Sequence, residues 1–303
     1  MDGEILYLNG EFKSLEDGWI RVEDRGFELG DGIYEVVKVL NGRLVWLEDH
    51  LRRLDRSLSE VRLTEASAGH IFETVLPDLV ERSGIVDGMV YVQVTRGAAP
   101  RDFVFPHPPN PTVLAYARVK KLPTEVEIYA GTALHPVQDQ RWARCDIKST
   151  NLLAAVLAKE EAKEAGADEA LFLDPEGVVR EGGSSNVFAV LDGVIRTHPL
   201  SNRILGGITR LHVIEIARQM GYPVDERAFG LAEITSAAPS RCEVFTASTL
   251  KDMLPVVRVG THTVGDGRPG PVTLAVLDRF RQIQADLVGL PRPRPLLGAP
   301  AAS

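Results

Sequence analysis

RWARCDIKSTNLLAAVLAKEEA, residues 141–162, decides the fold more than any other stretch of the chain. Its polar residues 149–151, Ser-Thr-Asn, are types that cap helix N-termini. Apolar residues follow them at helical spacing: Leu152, Leu153, Val156 and Leu157. Gly166 then marks the end of the helix. The stretch predicts a strand-to-helix junction with Lys148 just outside the helix N-terminus.

A lysine at that position has a possible chemical role. The N-terminal end of a helix carries partial positive charge, which disfavours an ammonium group. Together with desolvation, this charge would favour the neutral, nucleophilic amine of Lys148, and a Schiff-base role becomes physically possible. Because most isolated lysines are solvated surface residues, the assignment depends on motifs elsewhere in the chain.

Composition restricts the class of protein. The chain has 303 residues, of which 44% are hydrophobic and 25% charged, as expected for one large or two ordinary globular domains. A formal charge of −8 argues against sequence-independent nucleic-acid binding, which needs a basic surface. Two cysteines are too few for a disulfide framework, and the start MDGE lacks the features of a signal peptide. With no apolar run near the roughly 18 residues of a membrane span, we expect a cytoplasmic protein.

The first half of the chain reads as antiparallel sheet with helices. Asn9-Gly10 and Asn41-Gly42 each predict a hairpin turn. Leucines and a valine from Leu47 to Val61 predict an amphipathic helix. A second helix is expected near 67–83, with a kink or a late start because of Pro77. A strand at 89–96 is followed by a proline-rich loop without regular structure.

A phosphate site is predicted in the second half of the chain. Gly206 and Gly207 precede a helical pattern whose apolar face we assign to Ile208, Leu211, Ile214 and Met220. The free N–H groups and the dipole at the start of such a helix bind anions, and Thr209 could add a hydroxyl. Short strands separated by turns at 175–177 and 192–193 surround the motif EGGSSNVF.

Seven motifs, in this order, resemble the fold-type IV pyridoxal-phosphate enzymes, and most closely the D-amino-acid aminotransferases. They span most of the chain: EDRGFELGDGIYEVVKV (23–39), HLRRL (50–54), YVQVTRGAAPR (91–101), RCDIKSTNLLAAVLAKEEA (144–162), EGGSSNVF (181–188), ILGGITR (204–210) and FTASTLKDMLPV (245–256). The resemblance implies an α+β fold of two domains, a smaller α/β N-terminal domain and a larger cofactor domain with a pseudo-barrel of strands. The expected segments are domain 1–118, linker 119–123, domain 124–290 and a disordered tail at 291–303.

The resemblance also implies the cofactor and its contacts. Lys148 would carry pyridoxal 5′-phosphate as an aldimine, and Glu181 would hold the pyridine nitrogen protonated so that the ring can accept electrons. The other implied cofactor contacts are Arg53, Ser184, Ser185, Asn186, Leu205, Gly207, Ile208, Thr209, Ser248 and Thr249. Gly183 stands where D-amino-acid aminotransferases commonly have serine. No metal is implied.

The implied substrate site contains residues of one strand and one loop. A period of two places Tyr34, Val36 and Lys38 on one face of a strand. Arg101 matches the arginine with which the family grips the substrate α-carboxylate from the neighbouring subunit, so a homodimer with the site at its interface is expected. Phe103 replaces a histidine that usually shares this task, and the pocket is therefore expected to differ.

Transamination of D-amino acids is the implied activity, as in D-alanine plus 2-oxoglutarate giving pyruvate plus D-glutamate in ping-pong fashion. Phe103 keeps two alternatives open, an (R)-amine transaminase and a branched-chain aminotransferase, and aminodeoxychorismate lyases share the scaffold. A different class, nucleotide binding, is suggested by GDGRPG at 265–270, which fits G-x-G-x-x-G. Too few residues follow that motif to complete a Rossmann unit.

Overall fold

The computed structural model describes residues 5–64 and 68–296, which form two compact units. The units consist of Met1–Leu122 with Ile147–Asn151, and of Pro123–Asp146 with Leu152–Ser303. The five residues around Lys148 therefore pack with the first unit, although the chain on both sides of them belongs to the second. The domain boundaries drawn from the motifs stay a prediction.

An antiparallel sheet forms the first unit. Its strands are β1 (Ile5–Leu8), β2 (Glu11–Ser14), β3 (Gly32–Leu40), β4 (Arg43–Leu44), β5 (Gly88–Thr95) and β6 (Thr112–Val119). Their order in the described sheet is β2-β1-β6-β5-β3-β4. Both predicted hairpins are confirmed, since Asn9-Gly10 joins β1 to β2 and Asn41-Gly42 joins β3 to β4. All four turn residues have positive φ, as a type I′ turn requires.

The described part of the first unit contains three α-helices: α1 (Arg25–Leu29), α2 (Leu47–Glu60) and α3 (Ala68–Ser83). The amphipathic helix predicted from Leu47 is confirmed as α2. The late start expected from Pro77 is wrong, because α3 runs through the proline. Phe72, Leu76 and Leu79 are fully buried on both sides of Pro77, and these core contacts keep the helix continuous despite one missing backbone hydrogen bond.

The two faces of the first sheet differ. One face packs in the core with α2 and α3 through Ile33 and Val37 of β3 and their neighbours. On the other face Tyr34, Tyr91 and Tyr116 stack in a row, with ring centroids 5.7 and 5.1 Å apart. The period of two predicted for β3 thus separates a core face from an aromatic face.

A mixed sheet forms the second unit. Its strands are β7 (Thr132–Gln138), β8 (Glu169–Leu173), β9 (Val179–Gly182), β10 (Asn186–Leu191), β11 (Val194–Thr197), β12 (Val224–Asp225), β13 (Cys242–Ser248), β14 (Asp252–Val259) and β15 (His262–Thr263). The order in the described sheet is β12-β11-β10-β13-β14-β7-β8-β9, and β15 pairs with β14. The helices are α4 (Glu125–Ala130), α5 (Leu153–Glu164), α6 (Ile208–Gln219), α7 (Leu231–Thr235) and α8 (Pro271–Val288).

Two helices of the second unit bury faces other than the predicted ones. The leucines and valine of α5 that suggested its apolar face are exposed, and alanines at positions 155, 158 and 162 are buried instead. Small side chains allow a close approach to the sheet, so the alanine face packs there. In α6, Ile208 and Ile214 are buried as expected, whereas Leu211 and Met220 are partly exposed.

The last described residues have no regular structure, yet they are anchored. Leu296 is buried, and its N–H group bonds to both carboxylate oxygens of Asp278 at 2.9 Å. This anchoring differs from the disorder expected from composition. The rest of the expected tail, 297–303, lies outside the described residues. Among the helices of residues 5–64 and 68–296, none is long and apolar enough to cross a membrane.

Candidate active site

Lys148 is held on the first unit by backbone contacts with β3. Its carbonyl accepts a hydrogen bond from the N–H of Tyr34 at 2.9 Å, and Ser149 forms an isolated bridge with Ile33. The Lys148 Nζ atom lies 4.2 Å from the centroid of the Tyr34 ring. The structure thus brings together two predicted site residues, Lys148 and the tyrosine of the aromatic face.

The predicted capping role of residues 149–151 is wrong. Thr150 Oγ1 and Asn151 Nδ2 both donate to the carbonyl of Gly30 at 3.1 Å. Helix α5 begins only at Leu153, and its N-cap residue Leu152 makes no side-chain cap hydrogen bond. The polar residues therefore fix the lysine segment to the loop before β3, because side chains of this type bond to nearby backbone groups as readily as to a helix end.

Arg53, a predicted phosphate ligand, belongs to a buried ionic cluster of the first unit. Its Nε and Nη2 atoms bond to the two carboxylate oxygens of Glu35 at 2.7 and 2.8 Å. His50 Nδ1 lies 2.9 Å from Glu35 Oε2. Burial alone would raise the pKa of Glu35, but Arg53 and His50 more than offset it and hold this pKa well below its usual value. Desolvation in turn lowers the pKa of His50.

Glu35 and His50 were missed in the sequence, although a signal was present. Glu35 occupies an inward position of β3 between Ile33 and Val37, where an unpaired carboxylate would be costly. His50 and Arg53 are three residues apart on the buried face of α2. A charged residue at an inward strand position, with cations at helical spacing on the covering helix, indicates such a cluster.

Glu181 is the buried carboxylate of the second unit, only 4% exposed. It accepts hydrogen bonds from Arg141 Nη1 at 2.5 Å, from Asn186 Nδ2 at 2.9 Å and from the N–H of Leu205 at 3.1 Å. Desolvation nevertheless outweighs Arg141 and raises the pKa of Glu181 to about 7. Arg141 also bonds to both carboxylate oxygens of Asp139 at 2.9 Å, so its positive charge is shared.

Helix α6 begins next to this carboxylate with open donors. The N-cap residue Gly207 makes no side-chain cap bond, and the N–H groups of Ile208 and Thr209 lie in the first turn, where no intrahelical acceptor exists. A Cβ atom at Gly207 would lie 2.1 Å from Asn186 Oδ1. Asn186 also donates to the carbonyl of Leu205 at 2.9 Å. Glu181, Asn186 and the start of α6 therefore form one cluster, and their role as cofactor contacts stays a prediction.

The serine loop after Glu181 has separate partners. Ser184 Oγ donates to Glu169 at 2.8 Å and accepts from Lys159 Nζ at 3.0 Å. The hydroxyl of Ser185 is buried without a hydrogen-bond partner in the described part of the chain. A Cβ atom at Gly183 would lie 2.8 Å from both Glu169 Oε1 and Lys159 Cγ. The glycine that departs from the family pattern thus leaves room for this lysine and glutamate.

The remaining predicted residues are distributed over both units. Ser248 ends β13 and Thr249 lies in the turn to β14, both half-buried. Val36 is half-buried on the aromatic face of β3, and Lys38 is buried. Arg101 and Phe103 are exposed on the loop between β5 and β6, with the Arg101 guanidinium 5.8 Å from the Phe103 ring centroid.

Each unit contains donors of the kinds that pyridoxal 5′-phosphate needs. The group needs an amine for its aldehyde, a carboxylate for its ring nitrogen and hydrogen-bond donors for its phosphate. The first unit supplies Lys148. The second unit contains Glu181, whose pKa desolvation raises despite the bond from Arg141, and the uncapped start of α6.

The start of α8 excludes the nucleotide-binding interpretation of residues 265–270. The carboxylate of Glu243 accepts hydrogen bonds from the N–H groups of Val272 and Thr273 at 3.1 and 2.8 Å. A Cβ atom at Gly270 would lie 2.0 Å from this carboxylate. The anion-binding end of α8 is therefore filled by the protein's own side chain, so that alternative is wrong.

Known proteins resemble the chain over almost its whole length. The family model for amino-transferase class IV matches residues 32–259. The D-alanine aminotransferase of Staphylococcus haemolyticus is 39% identical over 278 residues, which cover 91% of this chain and 96% of that protein.

Two solved structures extend the comparison. The Escherichia coli branched-chain amino acid aminotransferase has a TM-score of 0.83 at 24% identity, covers 92% of this chain and 93% of its own, and shows the fold alone. The T.th. branched-chain amino acid aminotransferase complexed with N-(5′-phosphopyridoxyl)-L-glutamate has a TM-score of 0.79 at 28% identity, with 95% of each chain covered.

Proposed function

Because the chain belongs to the class IV aminotransferases, we propose that it transfers the amino group of D-amino acids, D-alanine in particular, to 2-oxo acids such as 2-oxoglutarate. The family's cofactor is pyridoxal 5′-phosphate. The observation that carries the proposal is the cluster of Glu181, Asn186 and the uncapped start of α6, joined to the full-length similarity with D-alanine aminotransferases.

Each residue has a distinct part in the proposed reaction. When bound, pyridoxal phosphate supplies an aldehyde for the amino group and a ring that takes up electrons released at the substrate Cα. Lys148 Nζ would take the Cα proton from the amino donor in the first half-reaction and give a proton to the Cα of the new amino acid in the second, as a positioned general acid–base does. Glu181 holds a proton at the pyridine nitrogen. The N–H groups of Ile208 and Thr209 bind the phosphate, and Arg101 binds the substrate α-carboxylate.

Exposed apolar residues of the first unit support a homodimer. Phe103 is 81% exposed in the single chain, and other large apolar side chains are similarly exposed: Trp19, Val22, Phe27 and Val104. Burying such residues against a second copy would remove apolar surface from water. We therefore propose that the loop carrying Arg101 and Phe103 enters the site of the partner subunit.

A cytoplasmic location is part of the same proposal. Cys145 and Cys242 are both free thiols. Burial raises the pKa of each to about 11, which keeps them protonated and unreactive. Free, unreactive thiols agree with a reducing compartment.

Phe103 favours a second candidate function, that of an (R)-amine transaminase. A phenyl ring next to Arg101 donates no hydrogen bond to a carboxylate, so part of the usual grip is absent. A panel of D-alanine, L-leucine and an apolar (R)-amine, each with 2-oxoglutarate, separates the candidates. The proposal expects D-alanine to be the best donor. Faster turnover of L-leucine would assign a branched-chain enzyme, and faster turnover of the amine would assign the second candidate.

Reduction with borohydride tests the anchor residue. We expect the reduced protein to carry the cofactor on the peptide that contains Lys148, as detected by mass mapping, because this lysine supplies the amine. The matched control is Lys163→Ala, an exposed lysine of α5, which should label like the wild type. Label on another lysine, or on none, would refute the proposal.

Replacing Glu181 tests its proposed contact with the pyridine ring of the cofactor. Glu181→Gln keeps the shape but removes the anion, and kcat should fall by about 10²-fold or more, the range typical for one lost electrostatic contact in a site. Single-turnover absorbance changes measure the half-reaction directly. A variant with wild-type kcat would show that Glu181 does not support the reaction.

A further inference from the structure

We propose that Arg25 and Arg96, two buried arginines bridged by Asp31, position the loop of residues 97–111 so that Arg101 and Phe103 can meet the substrate. This inference rests on the proposed function, because it deepens the account of the same substrate site. It concerns only residues of the first unit. Nothing in the motif resemblance assigns a role to either arginine.

One carboxylate joins the two arginines. Asp31 Oδ2 accepts from Arg25 Nε at 2.9 Å and from Arg96 Nε at 2.8 Å, and both arginines are only 2% exposed. Buried guanidinium groups are costly unless their donors are paired. The remaining donors of both arginines therefore need acceptors, and for Arg25 the loop provides two carbonyls.

Arg25 holds the backbone on either side of Phe103. Its Nη1 atom donates to the carbonyl of Asp102 at 2.5 Å and to that of Val104 at 3.3 Å. The N–H group of Arg25 also bonds to the carbonyl of Gly97, at the start of the loop, at 3.0 Å. One residue thus fixes the loop at its beginning and at its tip.

Arg96 holds the next part of the loop and links it to α2. Its guanidinium lies 3.6 Å from the centroid of the Phe105 ring. Its Nη2 and Nη1 atoms donate to the carbonyls of Val61 and Arg62, just after α2, at 2.6 and 3.2 Å. The loop is therefore connected through Arg96 to the body of the unit.

A neighbouring aspartate closes the base of the loop. Asp24 Oδ2 accepts from Thr95 Oγ1 at 3.0 Å and from Thr112 Oγ1 at 2.6 Å. Thr95 ends β5 and Thr112 begins β6, so the two ends of the loop are bonded to one side chain. Asp24 is itself buried.

The result is a fixed backbone with exposed side chains. Residues 101–104 are exposed, whereas the arginines that bond to their backbone are buried. A loop ordered in advance loses less conformational entropy when it binds a ligand. The cluster of Arg25, Asp31 and Arg96 therefore serves substrate affinity through the loop, and its members are positioning residues.

The test uses the holoenzyme with Arg25→Lys, which keeps the charge but cannot reach Asp31 and two carbonyls at once. Hydrogen exchange measured by mass spectrometry should be about tenfold faster in the 97–111 loop. KM for D-alanine should rise about tenfold while kcat stays within about threefold, because ground-state positioning is lost. The matched control is Arg21→Lys, an exposed arginine paired with Glu23.

Loop exchange equal to that of the control would overturn the inference, as would an unchanged KM. Should Arg25→Lys fail to fold, Phe105→Leu decides, because it removes the ring under Arg96 and leaves every charge in place. It should change exchange and KM in the same direction by a smaller factor, and wild-type values would refute the inference. If the wild type has no transaminase activity at all, the proposed function fails, and loop exchange alone decides the positioning role.

Discussion

Each of the two units buries one strand glutamate beside an arginine, and the two carboxylates behave in opposite ways. Glu35 in the first unit receives two bonds from Arg53 and one contact from His50, and its pKa lies well below the usual value. Glu181 in the second unit is equally desolvated and has Arg141 beside it, yet its pKa is raised to about 7.

The difference lies in how many bonds each arginine gives to its glutamate. Arg53 gives two bonds to Glu35, whereas Arg141 gives two bonds to Asp139 and one to Glu181. Glu35 is therefore a neutralised structural anion. Glu181 receives one bond from Arg141, and desolvation outweighs it, so a protonated ring nitrogen beside Glu181 would favour its charged form. A buried carboxylate alone does not indicate function, whereas one whose pKa desolvation raises despite a neighbouring arginine is a candidate functional group.

The largest expected effect is the loss of stability when Glu35, the structural carboxylate, is replaced. Glu35→Gln removes the buried anion that Arg53 and His50 contact, and we expect the free energy of unfolding to fall by about 3–5 kcal/mol. Urea denaturation measures this change. The matched control, Glu48→Gln, removes an exposed carboxylate of α2 and should change stability by less than about 1 kcal/mol. Equal stability of both variants would show that the cluster around Glu35 is not structural.

The next effect is a pH dependence of the cofactor-free protein. Folding raises the pKa of Glu181 from 4.5 to about 7, so between these values the folded state holds a proton that the unfolded chain releases. Stability should therefore fall as pH rises through this window, by about 3 kcal/mol relative to Glu181→Gln, which cannot titrate. Thermal unfolding of both proteins from pH 5 to pH 8 tests this, and parallel curves would contradict it.

The smallest effect concerns the glycine that borders Asn186. Gly207→Ala would push a methyl group against Asn186, disturb its bond to Glu181 and weaken cofactor binding about tenfold, or about 1.4 kcal/mol. The matched control is Gly206→Ala, where the nearest atom to a new Cβ is 3.6 Å away. Fluorescence titration with pyridoxal phosphate measures both affinities. Equal affinities would show that the start of α6 does not affect cofactor binding through Asn186 and Glu181.

Local patterns predicted much of this architecture. The two Asn-Gly turns and the spacing of α2 depend on short-range backbone and side-chain preferences, which a single sequence displays. The uncapped glycine start of α6 was also visible, because helix N-termini have a recognisable composition. The residue roles at the site came from motif resemblance, and they stay predictions.

Partners distant in sequence were not predictable in the same way. Arg141 and Glu181 are 40 positions apart, and no periodicity connects them. The composition of residues 149–151 is typical of helix caps. Thr150 and Asn151 instead donate hydrogen bonds to the carbonyl of Gly30, about 120 positions earlier. The leucines at the start of α5 suggested a core face, but whether an apolar residue is buried depends on what packs against it.

The short return of residues 147–151 to the first unit has a consequence for synthesis on the ribosome. That unit cannot finish assembling when residue 122 emerges, since the backbone that pairs with Ile33 and Tyr34 is made 25 or more positions later. A fragment cut at the end of its contiguous part would lack Lys148 and the segment that pairs with Ile33 and Tyr34. Nascent chains must therefore wait, partly formed, until the start of the second unit has been translated.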